Sequence, residues 1–446
     1  MKFPNVPNFS DKLLVSGIAI MVGIAGFRTY ARHHFAPATN TDTGMLSELS
    51  TKLGVQRPAL TKGQIEIALA DDISLSKFPT EINLPGEQGQ PSNKAVVEYS
   101  FDAKLQEVIE ASYRRTTPDY GAFVALDATT GRILSMVSYA HNPSDRENLA
   151  LRATFPSASV FKVVTAAAAI SENKFSGNTV IPYTGQNHTL YRTNVFHTGN
   201  NRWTRYVSLK EAFAKSINTV FGKIGAYNLH PAVLRDYADR FGFNRKIASD
   251  VPVQQGNAPI PDDPWGVAQA SSGYTRENTM SPLQGSLIAA TVVNNGVMME
   301  PYLVQSVFQP DGTKLYTAQP IVSRQVVDAD TAGEIRSLMR ETISHGTCQK
   351  TFRGFSRGEC SLIDVGGKTG TLTGFNPLGK YDWFVGYAEY GGQKLAFASL
   401  TIHKDIWRVK SSQIAREVIE SYFKDKLPVS QHIATNTHHR RHHAKL

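Results

Sequence analysis

The strand-forming segments of this chain fall into two groups separated by a long helix-rich stretch. Two short apolar runs flank a Gly-containing turn early in the chain, and three more strands are predicted near its end, at 122–126, 132–138, 367–373, 383–389 and 394–402. Between the groups, residues 159–295 show mainly apolar helical periodicity. This pattern predicts an α+β fold with an antiparallel five-stranded sheet flanked by helices and an inserted all-helical lobe. A cleft between the two lobes is the expected place for a site.

An uncharged apolar run occupies residues 13–27, with Lys12 before it and Arg28 and Arg32 after it. Its position and basic flanks are typical of an export segment, and we expect an N-terminal membrane segment here. Two forms remain open, a single-pass transmembrane anchor or a cleaved signal peptide. Fifteen helical residues span about 22 Å, a shortfall that snorkelling side chains and local bilayer thinning can absorb. Either form places the rest of the chain outside the cytoplasm, most simply at a bacterial inner membrane with a periplasmic folded part.

Composition divides the chain into four predicted parts. Residues 1–35 are the cytoplasmic stub and anchor, and residues 36–95, rich in Pro and Gly, form a linker or a small module. Residues 96–427 are the folded domain, and residues 428–446 are a basic, His-rich tail predicted to be disordered. The net charge is +9, of which each end contributes +3. A nucleic-acid binder carries its basic residues on the folded body, so we expect no nucleic acid as partner.

Two cysteines, Cys348 and Cys360, are the only ones in the chain. Their spacing fits no zinc or redox motif, and no metal site is predicted. In an oxidising compartment they could close a short loop as a disulfide, which would stabilise the fold by about 3 kcal/mol. The alternative is two unpaired thiols, because sequence does not give the separation of their Cα atoms.

A serine opens a predicted buried helix at Ser159, and Lys162 follows one turn later. One turn places both side chains on the same helix face. A serine hydroxyl needs a neighbouring base to act as a nucleophile, and a desolvated lysine with a lowered pKa can supply it. Ser-x-x-Lys also occurs at three other serines, Ser74, Ser171 and Ser421, but only Ser159 leads into a long apolar helix.

Two further motifs follow in the chain. Ser216 lies 57 residues after Ser159 and is followed by Asn218, both within a predicted helix over 210–224. They offer a hydroxyl for proton relay and an amide for hydrogen bonding. A Lys-Thr-Gly-Thr sequence begins another 152 residues on and opens a predicted strand, with Lys368, Thr369, Gly370 and Thr371. Glycine in such a strand lets a ligand approach the backbone, and the lysine and threonines offer charge and hydroxyls for a carboxylate.

In this order, the three motifs resemble the serine acyltransferase signature of penicillin-binding proteins and β-lactamases. The chain looks like a penicillin-binding protein transpeptidase domain from about residue 96 to residue 423. Four segments beyond the motifs carry the resemblance as well, namely 121–137, 208–221, 280–302 and 382–387.

The resemblance implies roles for individual residues. Ser159 would be the acylated nucleophile, Lys162 its base, Ser216 and Asn218 the second motif, and Lys368, Thr369, Gly370 and Thr371 the third. The N–H groups of Ser159 and Thr371 would form the oxyanion hole. The implied substrates are peptidoglycan stem peptides ending in D-Ala-D-Ala, the implied inhibitors are β-lactam antibiotics, and no cofactor is required. About sixty residues separate the apolar run from the domain, so polymerase activity would belong to a separate glycan polymerase partner.

Several alternatives to a D,D-transpeptidase remain open. The acceptor of the acyl group is an amine in a transpeptidase and water in a D,D-carboxypeptidase, and the motifs do not separate them. A serine β-lactamase or a penicillin-sensor domain shares the serine and lysine motifs. However, the chain has no Glu-x-x-Leu-Asn segment, and its Ser-Ile-Asn differs from the Ser-x-Val of sensor relatives. A non-enzymatic cell-wall scaffold is the remaining alternative.

Overall fold

The computed structural model describes residues 60–84, 93–197, 199–355 and 357–428. The described residues from Leu60 onward form one compact unit. The predicted membrane segment at 13–27 and nearly all of the predicted tail lie outside the described residues. Within the part of the chain that is described, no helix is long and apolar enough to cross a membrane.

The described residues form fifteen strands, most of them short, and eleven α-helices. The strands, in chain order, are β1 Glu81–Leu84, β2 Asn93–Tyr99, β3 Tyr120–Asp127, β4 Ile133–Ala140, β5 Phe155–Pro156, β6 Val180–Tyr183, β7 Arg205–Ser208, β8 Thr279–Met280, β9 Val297–Met299, β10 Val304–Phe308, β11 Lys314–Thr317, β12 Val322–Gln325, β13 Asp364–Phe375, β14 Leu378–Tyr390 and β15 Gln393–His403. The helices are α1 Lys62–Ser74, α2 Ala103–Thr116, α3 Lys162–Asn173, α4 Arg192–Phe196, α5 Leu209–Ala214, α6 Asn218–Lys223, α7 Pro231–Arg240, α8 Pro264–Ser272, α9 Pro282–Val293, α10 Ala329–Ser344 and α11 Ser411–Phe423.

The central sheet has five strands in the order β13-β14-β15-β3-β4, all antiparallel, which confirms the predicted sheet. Both faces are buried because helices cover them. Successive residues of β3 point to opposite faces of the sheet, so Phe123 and Val124 belong to two different apolar clusters. Helix α9 packs on one face, and helices α2 and α11 pack on the other. Strand β13 lies at the edge of the sheet, with one side free of strand pairing.

A second antiparallel sheet, in the order β1-β2-β10-β11, was not predicted. Its β1, together with helix α1, comes from residues 60–84, and these side chains join the main core: Leu60, Ile65, Leu69, Ile73, Ile82 and Leu84. The compact unit therefore begins at Leu60, ahead of the predicted boundary at residue 96. Pro and Gly clusters near residue 90 suggested a linker, but the apolar positions before them are spaced along one face of α1.

The inserted lobe is not all-helical as predicted. Helices α3 to α9 form most of it, but β6 and β7 pair as a small antiparallel sheet, and β5 pairs with β8. The predicted helix over 210–224 is also interrupted, because α5 ends at Ala214 and α6 begins at Asn218. Both cysteines are free thiols, Cys348 buried and Cys360 partly buried.

We predict that Leu69→Ala lowers the free energy of unfolding by about 2–4 kcal/mol, because Leu69 is fully buried in the main core. Ile67→Ala is the matched control on the same helix: its side chain is 71% exposed, so the change should stay within about 0.5 kcal/mol. Equilibrium denaturation measures both. Equal small effects would show that residues 60–84 are a linker after all.

Candidate active site

Ser159 lies in a tight 3₁₀ turn, Ala158–Phe161, that leads directly into the buried helix α3. Ala158 holds a positive φ of 47°, which is strained for a residue with a Cβ. The turn is held on one side by the Ser157 N–H, which donates to the carbonyl of Asn278 at 2.7 Å. Strain of this kind persists only where the surroundings fix the backbone, and here it orients Ser159 into a cleft.

Two glycines allow other segments to reach this turn. Gly273 follows helix α8 with φ 68°, and a Cβ there would lie 1.9 Å from the carbonyl oxygen of Ala158. Gly370 of strand β13 faces the opposite side, where a Cβ would lie 3.2 Å from the carbonyl oxygen of Ser157. Larger residues at either position would push the turn away, so the glycines bring the edge strand and α8 against Ser159.

The Lys162 side chain is fully buried and its amine has three polar neighbours. The Nζ atom lies 2.7 Å from Ser159 Oγ, 2.7 Å from Asn218 Oδ1 and 2.5 Å from the carbonyl oxygen of Ser272. Burial lowers the pKa of Lys162 well below its ordinary value, and the nearby Lys368 acts in the same direction.

The partners of Lys162 define where its lone pair points when it is neutral. The Ser272 carbonyl can only accept a hydrogen bond, and Asn218 Oδ1 also accepts, since Asn218 Nδ2 donates to the carbonyl of His188 at 2.9 Å. A neutral amine has two N–H bonds, which these two acceptors use. Its lone pair is then left for the Ser159 hydroxyl, so the arrangement can remove a proton from Ser159.

The second predicted motif lies in a break between two helices, not inside one. Ser216 has a φ of 56°, and the Ile217 N–H donates back to the carbonyl of Ala212 at 2.9 Å, which closes the end of α5. Asn218 then begins α6, with its N–H bonded to the carbonyl of Asn187 at 2.7 Å. The break turns Ser216 and Asn218 inward, and both are buried.

Lys368 joins the second and third motifs. Its buried Nζ donates to Ser216 Oγ and to the carbonyl of Thr369, each at 2.9 Å. Burial lowers the pKa of Lys368 to about 7. The amine can therefore exchange a proton with Ser216 near neutral pH, and it also provides positive charge next to Thr369 when protonated.

The threonines of β13 have their own partners. Thr369 Oγ1 lies 2.7 Å from Thr347 Oγ1, and Thr371 Oγ1 donates to Asp382 Oδ1 at 3.4 Å. Asp382 is opposite Thr371 in the β13–β14 register. Burial raises the pKa of Asp382 to about 6, although the N–H of Ser411 at 2.7 Å favours its ionised form.

These residues surround a cleft of about 540 Å³. The structure brings Ser159, Ser216, Asn218, Thr369 and Thr371 to its lining, with Lys162, Lys368 and Gly370 directly behind them. The lysines of the other three Ser-x-x-Lys sequences, Lys77, Lys174 and Lys424, are exposed. Within the described residues, no group of three or more His, Cys, Asp or Glu side chains is arranged to hold a metal ion.

Sequence reasoning missed several groups at the cleft. The carbonyl of Ser272 is a backbone group without a residue-type signal. Gly273 could have been found, because a glycine after an apolar helical run indicates a left-handed helix end. His188, Thr347 and Trp407 also line the cleft, and each comes from a loop whose position depends on tertiary packing.

Comparison with known proteins identifies the family. Residues 121–424 match the model of the penicillin binding protein transpeptidase domain. The chain belongs to this family. It is 30% identical over 320 residues to the peptidoglycan D,D-transpeptidase PbpA of Mycobacterium tuberculosis, a match covering 64% of this chain and 62% of PbpA. It is 26% identical over 319 residues to stage V sporulation protein D of Bacillus subtilis, covering 67% of this chain and 47% of that protein. The chain thus matches less than two thirds of the length of these relatives.

Solved structures give the same fold. The crystal structure of PBPA from M. tuberculosis has a TM-score of 0.61 and 27% identity, covering 73% of this chain and 82% of that one. The penicillin G acyl-enzyme complex of the same protein has a TM-score of 0.59 and 27% identity, covering 75% and 82%. The α+β fold with its antiparallel sheet is therefore that of penicillin-binding transpeptidase domains.

We predict that Lys368→Met lowers the slope of stability against pH between pH 7 and pH 10.5 by the share of one proton, while the share of Lys162 remains. In this window the unfolded lysine holds a proton that the folded one has lost. The free energy of unfolding of the wild type therefore rises with pH, by up to about 1.4 kcal/mol per pH unit for one proton. Denaturant titrations across the window measure the slope. Lys404→Met, which removes an exposed ammonium, should follow the wild type; an unchanged slope in Lys368→Met would show that folded Lys368 keeps its proton.

Proposed function

We propose that this protein is a serine-type D,D-transpeptidase that cross-links peptidoglycan stem peptides through an acyl-enzyme on Ser159. The main support for this proposal is the buried amine of Lys162. Its two acceptor partners bind its N–H groups, which leaves its lone pair to accept the hydroxyl proton of Ser159. The name of the M. tuberculosis relative, a peptidoglycan D,D-transpeptidase, supports this activity.

Acylation begins when Ser159 Oγ attacks the carbonyl carbon of the penultimate D-Ala. Lys162 takes the hydroxyl proton, and a tetrahedral intermediate forms with a negative oxygen. The N–H groups of Ser159 and Thr371 would stabilise that oxygen, since Gly370 brings β13 against the serine turn. Ser159, Lys162 and Thr371 thus account for nucleophile, base and oxyanion support.

Collapse of the intermediate breaks the peptide bond and releases the terminal D-Ala. Its amine needs a proton, and Ser216 is placed to pass one, because Lys368 Nζ contacts Ser216 Oγ at 2.9 Å. Burial lowers the pKa of Lys368 to about 7, so near neutral pH it can both give and regain this proton. The hydroxyls of Thr369 and Thr371 and the charge of Lys368 would bind the terminal carboxylate of the substrate.

The second half-reaction transfers the acyl group from Ser159 to an amine of a neighbouring stem peptide. The attacking amine gives its proton through Ser216 to Lys368, which the first half-reaction left neutral, and Lys162 returns its proton to Ser159 Oγ as the ester bond breaks. β-Lactam antibiotics would acylate the same serine and remain bound. Acyl-enzyme complexes of the related M. tuberculosis protein with penicillin G, imipenem and ceftriaxone support this. No cofactor enters either step.

The proposal extends to location and domain arrangement. The apolar run at 13–27 and its basic flanks support attachment to the bacterial inner membrane, with the transpeptidase domain outside the cytoplasm where cross-linkable glycan is found. The domain would extend from Leu60 to about residue 427, followed by the basic tail. A separate glycan polymerase would supply the strands to be cross-linked.

We predict that a labelled penicillin acylates Ser159 and that Ser159→Ala abolishes labelling. Ser171→Ala is the matched control, because Ser171 begins another Ser-x-x-Lys sequence whose Lys174 is exposed, and its labelling should equal that of the wild type. Gel fluorescence and peptide mass spectrometry give the readout. Label on a peptide without Ser159 would refute the site.

We further predict that purified protein incubated with stem-peptide polymers forms cross-linked products together with free D-Ala. Mass spectrometry separates these products from peptides that have only lost D-Ala. Trimmed peptides without cross-links would instead identify a D,D-carboxypeptidase. Penicillin labelling of Ser159 without either product would favour a sensor or scaffold.

A further inference from the structure

The cleft has a second group of cationic side chains, away from Lys162 and Lys368. Lys380 of strand β14, Trp407 of the loop after β15, and Lys410 immediately before α11 all line it. We call these three residues the lysine–tryptophan wall. Nothing in the proposed acylation steps uses them.

Hydrogen bonds between Ser411 and Asp382, which we call the Ser411 junction, hold the segment that carries Lys410 against strand β14, which carries Lys380. Lys380 and Asp382 are two residues apart on β14 and therefore face the same side of the sheet. The Ser411 N–H donates to Asp382 Oδ2 at 2.7 Å, and Ser411 Oγ donates to the carbonyl of Asp382 at 2.5 Å. Lys410 precedes Ser411, so the same junction holds it beside Lys380.

The indole of Trp407 forms the surface between the two lysines. Its Nε1–H donates to the carbonyl of Val409 at 3.0 Å, and His403 Nε2 lies 2.9 Å from the same oxygen. The ring centre is 4.7 Å from Lys380 Nζ and 5.8 Å from Lys410 Nζ. The contacts keep both ammonium groups near one ring that is 38% exposed.

Neither ammonium group has a carboxylate partner within 4.0 Å among the described residues. The nearest acidic group along the strand, Asp382, is buried and bonded to Ser411 and Thr371. Burial raises its pKa, and the charges of Lys410 and Lys380 act on it only from a longer distance, where they lower that pKa. Two like charges against one ring repel each other. An anion in the cleft would relieve this repulsion, so the wall is suited to bind a carboxylate.

The strand register indicates which part of a substrate reaches the wall. Along β13, Lys368 and Thr369 come first, Thr371 is opposite Asp382, and Thr373 is opposite Lys380. With the terminal carboxylate at Thr369 and the reacting carbonyl at Thr371, the rest of the donor peptide extends toward Thr373. The residue before the D-Ala pair then lies beside Lys380.

We propose that the lysine–tryptophan wall binds a free carboxylate on the side chain of the residue preceding D-Ala-D-Ala in the donor stem peptide. The proposal rests on the proposed function, because it uses the same cleft and the same donor. Lys380 and Lys410 are specificity-determining residues in this scheme. They select stem peptides with an acidic side chain at that position over peptides in which it is amidated.

The test measures binding without turnover, on Ser159→Ala protein, by titration calorimetry. Two synthetic stem peptides ending in D-Ala-D-Ala differ only in the side chain before that pair, which ends in a carboxylate in one and a carboxamide in the other. A third peptide keeps the side-chain carboxylate but has an amidated C-terminus, which separates the two carboxylates as ligands of the lysines.

We expect about tenfold tighter binding of the carboxylate peptide than of the carboxamide peptide, with about a threefold gain from each exposed charge pair. The ratio of the two affinities should fall to about one in Lys380→Gln/Lys410→Gln, which lacks both charges. It should stay high in Lys380→Arg/Lys410→Arg, because arginine keeps the positive charge. Lys404→Gln, in the same loop but outside the cleft lining, should keep the full ratio. Added salt should lower the preference.

Three results would overturn the inference: equal affinity for the two peptides, a preference that survives in Lys380→Gln/Lys410→Gln, or a loss in that variant that depends only on the C-terminal carboxylate. Failure of the proposed function gives a different result. In that case Ser159 would not be acylated by penicillin and no D-Ala would be released, whatever the affinity ratio is.

Discussion

The desolvation of Lys162 is the constraint on which the rest of the site depends. A fully buried ammonium ion is costly, and here the cost favours the neutral amine. Burial favours the neutral form, and Asn218 Oδ1 and the Ser272 carbonyl accept its two N–H bonds. These acceptors come from α6 and the end of α8, so the inserted lobe must close on α3 before Ser159 has a base. The proposed catalysis therefore requires that the helical lobe is packed against α3.

Two positions of strained backbone lie close to this amine. Ala158 and Ser216 both have positive φ without being glycine, and each lies next to a reacting hydroxyl or carries one. Such conformations cost about 1–3 kcal/mol each and persist only where packing fixes them. Buried apolar layers on both faces of the central sheet supply that packing. Packing against the sheet and α3 keeps the serine turn in this strained backbone conformation, which an isolated peptide would not maintain.

The five-stranded sheet and the position of Ser159 could be predicted because their signals are local: apolar runs beside turns, and a serine before a buried helix. The second sheet could not, since β2 pairs with β10 more than two hundred residues later and neither strand shows that partner. The helix break at Ser216 could not be predicted either, because the residues on both sides of it favour a helix. Ser272 contributes only its carbonyl, which every residue has. Local patterns therefore indicated the side chains that we propose to react, while the groups around them depend on the tertiary fold.

The cleft uses lysine for two opposite purposes, and burial separates them. Lys162 and Lys368 are fully buried, where the loss of water favours the neutral amine that proton transfer needs. Lys380 and Lys410 are exposed at the cleft wall, where water stabilises the ammonium ion that a carboxylate recognises. Strand β14 connects the two environments, because Asp382 contacts Thr371 on one side and the Ser411 junction on the other. A substrate that extends along β13 would thus meet the neutral amine of Lys162 at its reacting bond and cations at its acidic side chain, so a single strand pair sets both chemistry and selectivity.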